Sequence, residues 1–225
     1  MGLIIGIEST AHTFSFGAVS SDGSQVLPSS SSLYRPEEGG IHPREAADHH
    51  VESAGELLRT AMMKWGADKG DIEAVAFSQG PGLGPCLRVG GSVARSMSMA
   101  LDIPLIGVNH CVAHIEIGRR MTGCVDPILL YVSGGNTQVI ARASGRYRVL
   151  GETLDIGIGN MLDKFGRSIG IPFPGGPEIE RKASNFIQEN GSEHLLDLPY
   201  AVHGTDMAFS GILGAAIAHA ERGED

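Results

Sequence analysis

Apolar positions along this chain follow two periods. Leu3 to Glu8 is an apolar run rich in β-branched residues, and Thr13 to Ser20 alternates apolar with polar, with Ser9-Thr10-Ala11-His12 turning the chain between them. A second turn at Ser21-Asp22-Gly23-Ser24 leads into Gln25-Val26-Leu27, so the spacing predicts a three-strand meander. Residues 28–42 are rich in Ser, Pro and Gly and read as a loop. Pro43 suits a helix start, and from Arg44 to about Trp65 the period is helical. Ala47, Val51, Ala54, Leu58, Ala61 and Met62 fall on one face, His42, His49 and His50 flank or ride the helix, and Gly66 begins its stop. A strand over Ala74–Ser78, a glycine- and proline-rich loop over Gly80–Pro85 and a helix from about Leu87 to Leu101 follow. Pro104–Val108 is then a strand, and Cys111–Met121 a helix.

After Asp126-Pro127 the pattern restarts. Ile128–Ser133, Thr137–Ala143 and Tyr147–Leu150 read as three strands joined by small-residue turns, followed by helical spacing over 153–170. Pro177 is expected at the first position of a helix carrying Glu178 and Glu180, residues 190–208 are irregular, and Phe209-Ser210-Gly211 opens another helix. The repeated order of strand, turn, strand, turn, strand and helices predicts an α/β chain with duplicated domains, 1–125 and 126–225, and a ligand cleft between them. The second half stops at a helix end without closing strands and is expected to be incomplete.

Composition narrows the function classes. With 225 residues, 42% hydrophobic and 19% charged, the chain is expected to be soluble and globular. No apolar run approaches ~20 residues, so no membrane partner is expected, and the first residues are too short and unflanked for a signal peptide. Cys86, Cys111 and Cys124 have no framework spacing, which suits reduced thiols in a cytoplasm. A net charge of −9 disfavours direct nucleic-acid binding unless a basic partner supplies the attraction.

The stretch from Pro104 to Thr137 concentrates the candidate chemistry. His110 and His114 are four apart, so a helix puts both imidazoles on one face, within reach of one ion. Two ordinary histidines at a helix start remain the alternative. Cys111 stands where a zinc protease has its general-base Glu, which argues against that chemistry. Ser133-Gly134-Gly135-Asn136-Thr137 is either a plain type I′ hairpin turn or a turn whose N–H groups cradle an anion. The Gly80–Gly84 loop precedes a helix but has no Lys, so close packing is its simpler use. Asp163 and Glu180 could hold ribose hydroxyls or a cation, or simply face solvent, and Gly175-Gly176 could take a flat base or a phosphate.

Seven segments in order, GIEST from Gly6, HPREAADHH from His42, GPGLGPCLRVG from Gly80, GVNHCVAHIE from Gly107, YVSGGNTQV from Tyr131, FPGGPEIE from Phe173 and FSGILGAA from Phe209, resemble the tRNA threonylcarbamoyladenosine transferase family. This family comprises the archaeal–eukaryotic KEOPS catalytic subunit and bacterial TsaD, and Tyr131 resembles the archaeal–eukaryotic branch. The resemblance implies the actin/Hsp70/sugar-kinase superfold, with the second domain truncated. It implies transfer of threonylcarbamoyl from threonylcarbamoyl-AMP to the N6 amine of the adenosine 3′ of the anticodon in ANN-decoding tRNAs. His110, His114 and Tyr131 match the family's metal ligands, for one iron or zinc ion. Tyr131, Val132, Ser133, Gly134 and Gly135 match the segment holding phosphate and threonylcarbamoyl, and Asp163, Gly176 and Glu180 match nucleoside-binding positions. A further metal-ligating aspartate and a nucleotide-contacting asparagine fall beyond residue 225 of the pattern. No catalytic group is implied beyond the metal ligands. Implied partners are tRNA, brought by basic subunits, a kinase-like subunit and a small dimerising subunit. Two other readings stay open: an ATPase or kinase of the same superfold, with Glu8 as its first-turn carboxylate, and a non-catalytic scaffold paralogue, which should lack the histidine pair.

Overall fold

The first strand is the axis of the amino-terminal half. Leu3, Ile5 and Ile7 alternate with less buried residues along β1 (Leu3–Glu8), as the two-residue period of a strand with one face on the core requires. A computed structural model describes residues 2–36, 40–191 and 195–223. The chain divides into two compact units, Met1–Glu116 and Ile117–Asp225.

In the first unit, β1 pairs antiparallel with β2 (Thr13–Ser20), and β2 with β3 (Val26–Leu33). On its other side β1 runs parallel to β4 (Ile72–Gly80), which runs parallel to β5 (Leu105–Asn109), giving the order β3-β2-β1-β4-β5. The expected meander is present, but its third strand continues to Leu33, through half of the stretch read as loop. Pro28 is tolerated because β3 is an edge strand. Phe16 pairs with Ser30 and Ala18 with Leu27, so Pro28 and Ser29 together face Gly17 in a bulge.

Helix α1 (Pro43–Trp65) starts with Pro43 at its first position, as expected, and ends at Gly66, whose φ of 61° is the left-handed cap conformation that glycine adopts without strain. Ala47, Ala54 and Ala61 are buried, and Leu58 and Met62 pack against the core. Val51 is the exception at 64% exposed: it lines a groove of about 530 Å³ between α1 and α2 (Gly84–Leu101) rather than the sheet face. Its place inside is taken by His50, fully buried and bonded through Nε2 to the Ala11 carbonyl at 2.9 Å. Phe14 and Phe16, both at 0% exposure, meet edge-to-face at 5.5 Å between ring centres. Each buried ring contributes roughly 1.5–3 kcal/mol.

The second unit holds a meander of its own. β6 (Ile128–Val132), β7 (Thr137–Ala143) and β8 (Arg146–Glu152) pair antiparallel in the order β6-β7-β8. Among the described residues β6 has one strand neighbour, where β1 has two. Helix α4 (Ile158–Ser168) begins later than the helical spacing suggests. Thr153 to Gly157 are held in extended and turn conformations by bonds such as Thr153 Oγ1 to the Ile156 carbonyl at 2.6 Å. Helix α5 (Gly175–Asn190) starts two residues before Pro177, which is its third residue and not its first. Two short strands, β9 (Val202–His203) and β10 (Asp206–Met207), form a hairpin inside the stretch read as irregular. Helix α6 (Ser210–Glu221) opens where Phe209-Ser210-Gly211 suggested, with Asp155 accepting the Phe209 and Ser210 N–H groups at 2.8 and 2.9 Å. No helix among the described residues is long and apolar enough to cross a membrane.

Candidate functional site

Parallel strands bring their carboxyl ends to one rim, the usual place for ligands in α/β sheets. Here β1 ends in Glu8, β4 carries Ser78 and β5 ends in Asn109. Asn109 Oδ1 accepts the Cys111 and Val112 N–H groups at 3.0 and 3.2 Å, capping the next helix, α3 (His110–Thr122). That cap starts the helix at His110 itself, earlier than periodicity alone suggests, and sets His114 one turn above it.

The two imidazoles meet as the spacing predicts. Their Nε2 atoms are 3.3 Å apart, with ring centres at 4.6 Å. Two nitrogens each about 2.0–2.1 Å from one tetrahedral ion lie about 3.3–3.4 Å apart, so the pair has the spacing of two ligands of a single metal. Burial, and then the neighbouring His110, lower the His114 pKa and favour the neutral imidazole that a metal needs. Among the described residues no group of three or more His, Cys, Asp or Glu side chains is arranged around an ion. The two histidines by themselves have the spacing of two ligands of one ion.

Glu8 is the residue that the motif reading did not assign to this cluster. Its Oε1 accepts the Thr10 N–H at 2.7 Å, and its Oε2 accepts the Ser78 hydroxyl and lies 3.2 Å from His110 Nδ1. Burial would raise its pKa, but the donors from His110, Ser78 and Thr10 outweigh that and hold it at about 2. The turn after Glu8 is clasped from the β4–α2 loop, where Leu83 N–H bonds to the Thr10 carbonyl at 2.7 Å. A Cβ on Gly82 would stand 2.6 Å from that carbonyl oxygen, and one on Gly90 2.0 Å from Ser9 Oγ. The Gly80–Gly84 loop thus serves close packing, the simpler of its two expected uses.

In the second unit, Tyr131 is buried on β6 at 7% exposure, while Val132 is 51% exposed. Ser133, Gly134 and Gly135 form the β6–β7 turn, but it is not type I′, because neither glycine has positive φ. The physical reason lies in α4, which takes the turn's carbonyls. Gly159 N–H bonds to the Ser133 carbonyl at 3.2 Å and Asn160 N–H to the Gly134 carbonyl at 2.9 Å. Ser133 closes the turn with its hydroxyl instead, donating to the Asn136 carbonyl at 2.9 Å and accepting the Asn136 N–H at 3.1 Å. A Cβ on Gly135 would meet nothing within 4 Å, and one on Gly134 only Asn160 Oδ1 at 3.6 Å. Internal packing does not demand glycine at either position. The glycines it does demand are Gly157 and Gly159, whose Cβ atoms would stand 2.6 and 2.8 Å from backbone atoms of residues 133–136.

Asp163 does not face solvent freely. Its Oδ1 accepts the Gly175 N–H at 2.8 Å and so caps α5, whose preceding residue, Pro174, offers no side-chain cap. Gly176 follows directly, and Glu180 is exposed one turn further along the same helix. Asp163 therefore meets the first turn of α5 beside Gly176, while Glu180 stands a turn further along that helix, all three in the second unit.

An antiparallel meander continued by parallel strands, with polar side chains at their carboxyl ends, defines an α/β protein whose candidate site lies at one rim of its first sheet. The profile of the family described as TsaD, tRNA N6-adenosine threonylcarbamoyltransferase, matches residues 25–224, and the chain belongs to that family. It is 54% identical over 222 residues to a "probable bifunctional tRNA threonylcarbamoyladenosine biosynthesis protein" of Thermoplasma volcanium, covering 99% of this chain and 41% of that protein. It is 52% identical over 228 residues to the tRNA N6-adenosine threonylcarbamoyltransferase of Methanopyrus kandleri, covering 99% of this chain and 64% of that one. Among solved structures it is similar to YeaZ from Pseudomonas aeruginosa, at a TM-score of 0.46 and 17% identity over 68% of this chain and 66% of that one. The chain spans between 39% and 64% of the length of the curated relatives it matches.

Proposed function

We propose that the protein transfers threonylcarbamoyl from threonylcarbamoyl-AMP to the N6 amine of the adenosine 3′ of the anticodon in ANN-decoding tRNAs. The observation that carries this reading is family membership over residues 25–224, together with a histidine pair whose spacing suits two ligands of one ion. The amine nitrogen forms a bond to the carbamoyl carbon, the carbon–oxygen bond to phosphate breaks, AMP leaves with that oxygen, and the amine gives up one proton. An exocyclic amine is a weak nucleophile, so the mixed anhydride supplies the activation. One iron or zinc ion, on His110 and His114 and, by the family pattern, Tyr131, would supply Lewis-acid polarisation of the acyl donor. The turn at Ser133–Gly135 would hold phosphate through backbone N–H groups, a role supported by glycines that internal packing does not need. Asp163, Gly176 and Glu180 would hold the nucleoside. The net charge of −9 supports a KEOPS-type assembly in which basic partners deliver the tRNA, beside a kinase-like subunit and a small dimerising subunit.

The test incubates the full-length protein and its partner subunits with threonylcarbamoyl-AMP and tRNA, scoring modified adenosine and AMP. Steady phosphate release from ATP without tRNA would favour the kinase reading instead. Metal content by elemental analysis should fall in His114→Ala; equal content in wild type and variant would remove the histidines from the proposed metal site.

A further inference from the structure

The carboxylate of Glu8 has no place in the family-based assignment above, yet three elements converge on it. Its orientation is set by a group that can only donate: the Thr10 backbone N–H, 2.7 Å from Oε1. That leaves Oε2 for the Ser78 hydroxyl and for His110 Nδ1, 3.2 Å away. Glu8 and His110 are 102 residues apart, and their side chains are only 33% and 16% exposed, so the contact is a product of the fold and not of two mobile surface groups. A carboxylate beside an imidazole nitrogen favours a proton on that nitrogen, which in the neutral ring leaves the other bare. The other nitrogen of His110 is the Nε2 that stands 3.3 Å from His114 Nε2.

We infer that Glu8 is a positioning residue that holds His110 as its Nδ1–H tautomer, so that the Nε2 lone pair is presented beside His114 for the ion. This rests on the reading of the histidines as a metal pair, and the two are separable by experiment. The useful substitution is Glu8→Gln, which keeps the shape and inverts one set of donors. The Thr10 N–H needs an acceptor, so in E8Q the amide oxygen must face it and the NH2 group must face Ser78 and His110. Ser78 can rotate its hydroxyl to accept. His110 can accept only by moving its proton to Nε2, the atom a metal would need.

The experiment records the His110 tautomer by long-range proton–nitrogen NMR on the 15N-labelled full-length protein, above the pH range in which imidazole ordinarily protonates. Zn²⁺ affinity is measured alongside by chelator competition. The expected result is an Nδ1–H tautomer in wild type, an Nε2–H tautomer in E8Q, and Zn²⁺ binding weakened by about 10–100-fold in E8Q. A wild-type His110 in the Nε2–H form overturns the inference without needing any variant. So does E8Q with an unchanged tautomer, or with a switched tautomer and unchanged Zn²⁺ affinity. His114→Ala leaves the Glu8 contact in place and tests the ion separately. A wild type that binds no Zn²⁺ more tightly than H114A sinks the metal reading, while a tautomer switch in E8Q would still establish what Glu8 does to His110.

Discussion

Gly159→Ala should destabilise the protein although alanine is the better helix former. Gly159 is the second residue of α4, packed against the β6–β7 turn, and an added Cβ would stand 2.8 Å from Gly134 Cα, 2.8 Å from the Ser133 carbonyl oxygen and 2.9 Å from Gly134 N. Nonbonded carbon atoms prefer about 3.5–4.0 Å, and all three neighbours are backbone that cannot swing aside. Compressing the contact costs about 1–3 kcal/mol. Backing the helix away instead gives up the bonds from Gly159 and Asn160 N–H to the turn, each worth about 0.5–1.5 kcal/mol, a similar sum. Exchanging glycine for alanine in a helix returns at most about 1 kcal/mol, so the net loss is about 1–2 kcal/mol. Gly214→Ala is the control, since its Cβ meets nothing within 4 Å on α6, and it should be neutral or stabilising by up to about 1 kcal/mol. Urea or thermal melts of both variants read the contrast; at about 2–4 °C per kcal/mol the two midpoints should differ by several degrees. If G159A melts at or above both wild type and G214A, the turn does not rest on α4 as described.

Further outcomes are expected elsewhere. Asp155 is partly desolvated, which would raise its pKa, but the Phe209, Ser210 and Ile156 N–H groups outweigh this and hold it well below the usual carboxylate range. A depressed native pKa means a contribution fully present above the unfolded-chain pKa of about 4 and lost as pH falls below it. Acid titration of the unfolding midpoint should therefore fall less steeply below pH 4 in Asp155→Asn than in wild type, and Asp155→Ala should lose about 1 kcal/mol of α6 capping at pH 7. Parallel acid limbs and equal neutral midpoints would contradict that role. Cys124 is exposed, whereas Cys86 and Cys111 are buried and burial pushes the Cys86 thiol up. A thiol reagent should thus label one cysteine quickly in the native protein and all three in denaturant.

Local signals were strong where a residue's own neighbours decide its conformation. Pro43 and Gly66 bracket α1 because one pre-sets a helical φ and the other tolerates a left-handed one. The four-residue spacing of His110 and His114 was enough to put their rings together, since helical geometry alone relates them. Pro28 was misleading because a proline argues against a strand except at an edge or bulge, and only the sheet order reveals that β3 is both. The third position of Pro177 on α5 likewise depends on Asp163, twelve residues earlier, supplying the cap to Gly175.

What the chain's own letters determined is the repeated meander, the helix limits set by Pro and Gly, and two imidazoles on one helical face. What the tertiary structure alone decided is who meets them: Glu8 and Ser78 at His110, and the α4 backbone that draws in the carbonyls of the glycine turn. The difference is physical. Helix and strand periods come from bonds between near neighbours in the chain, whereas a contact across 102 residues is created by strand order and leaves no periodic trace in the sequence.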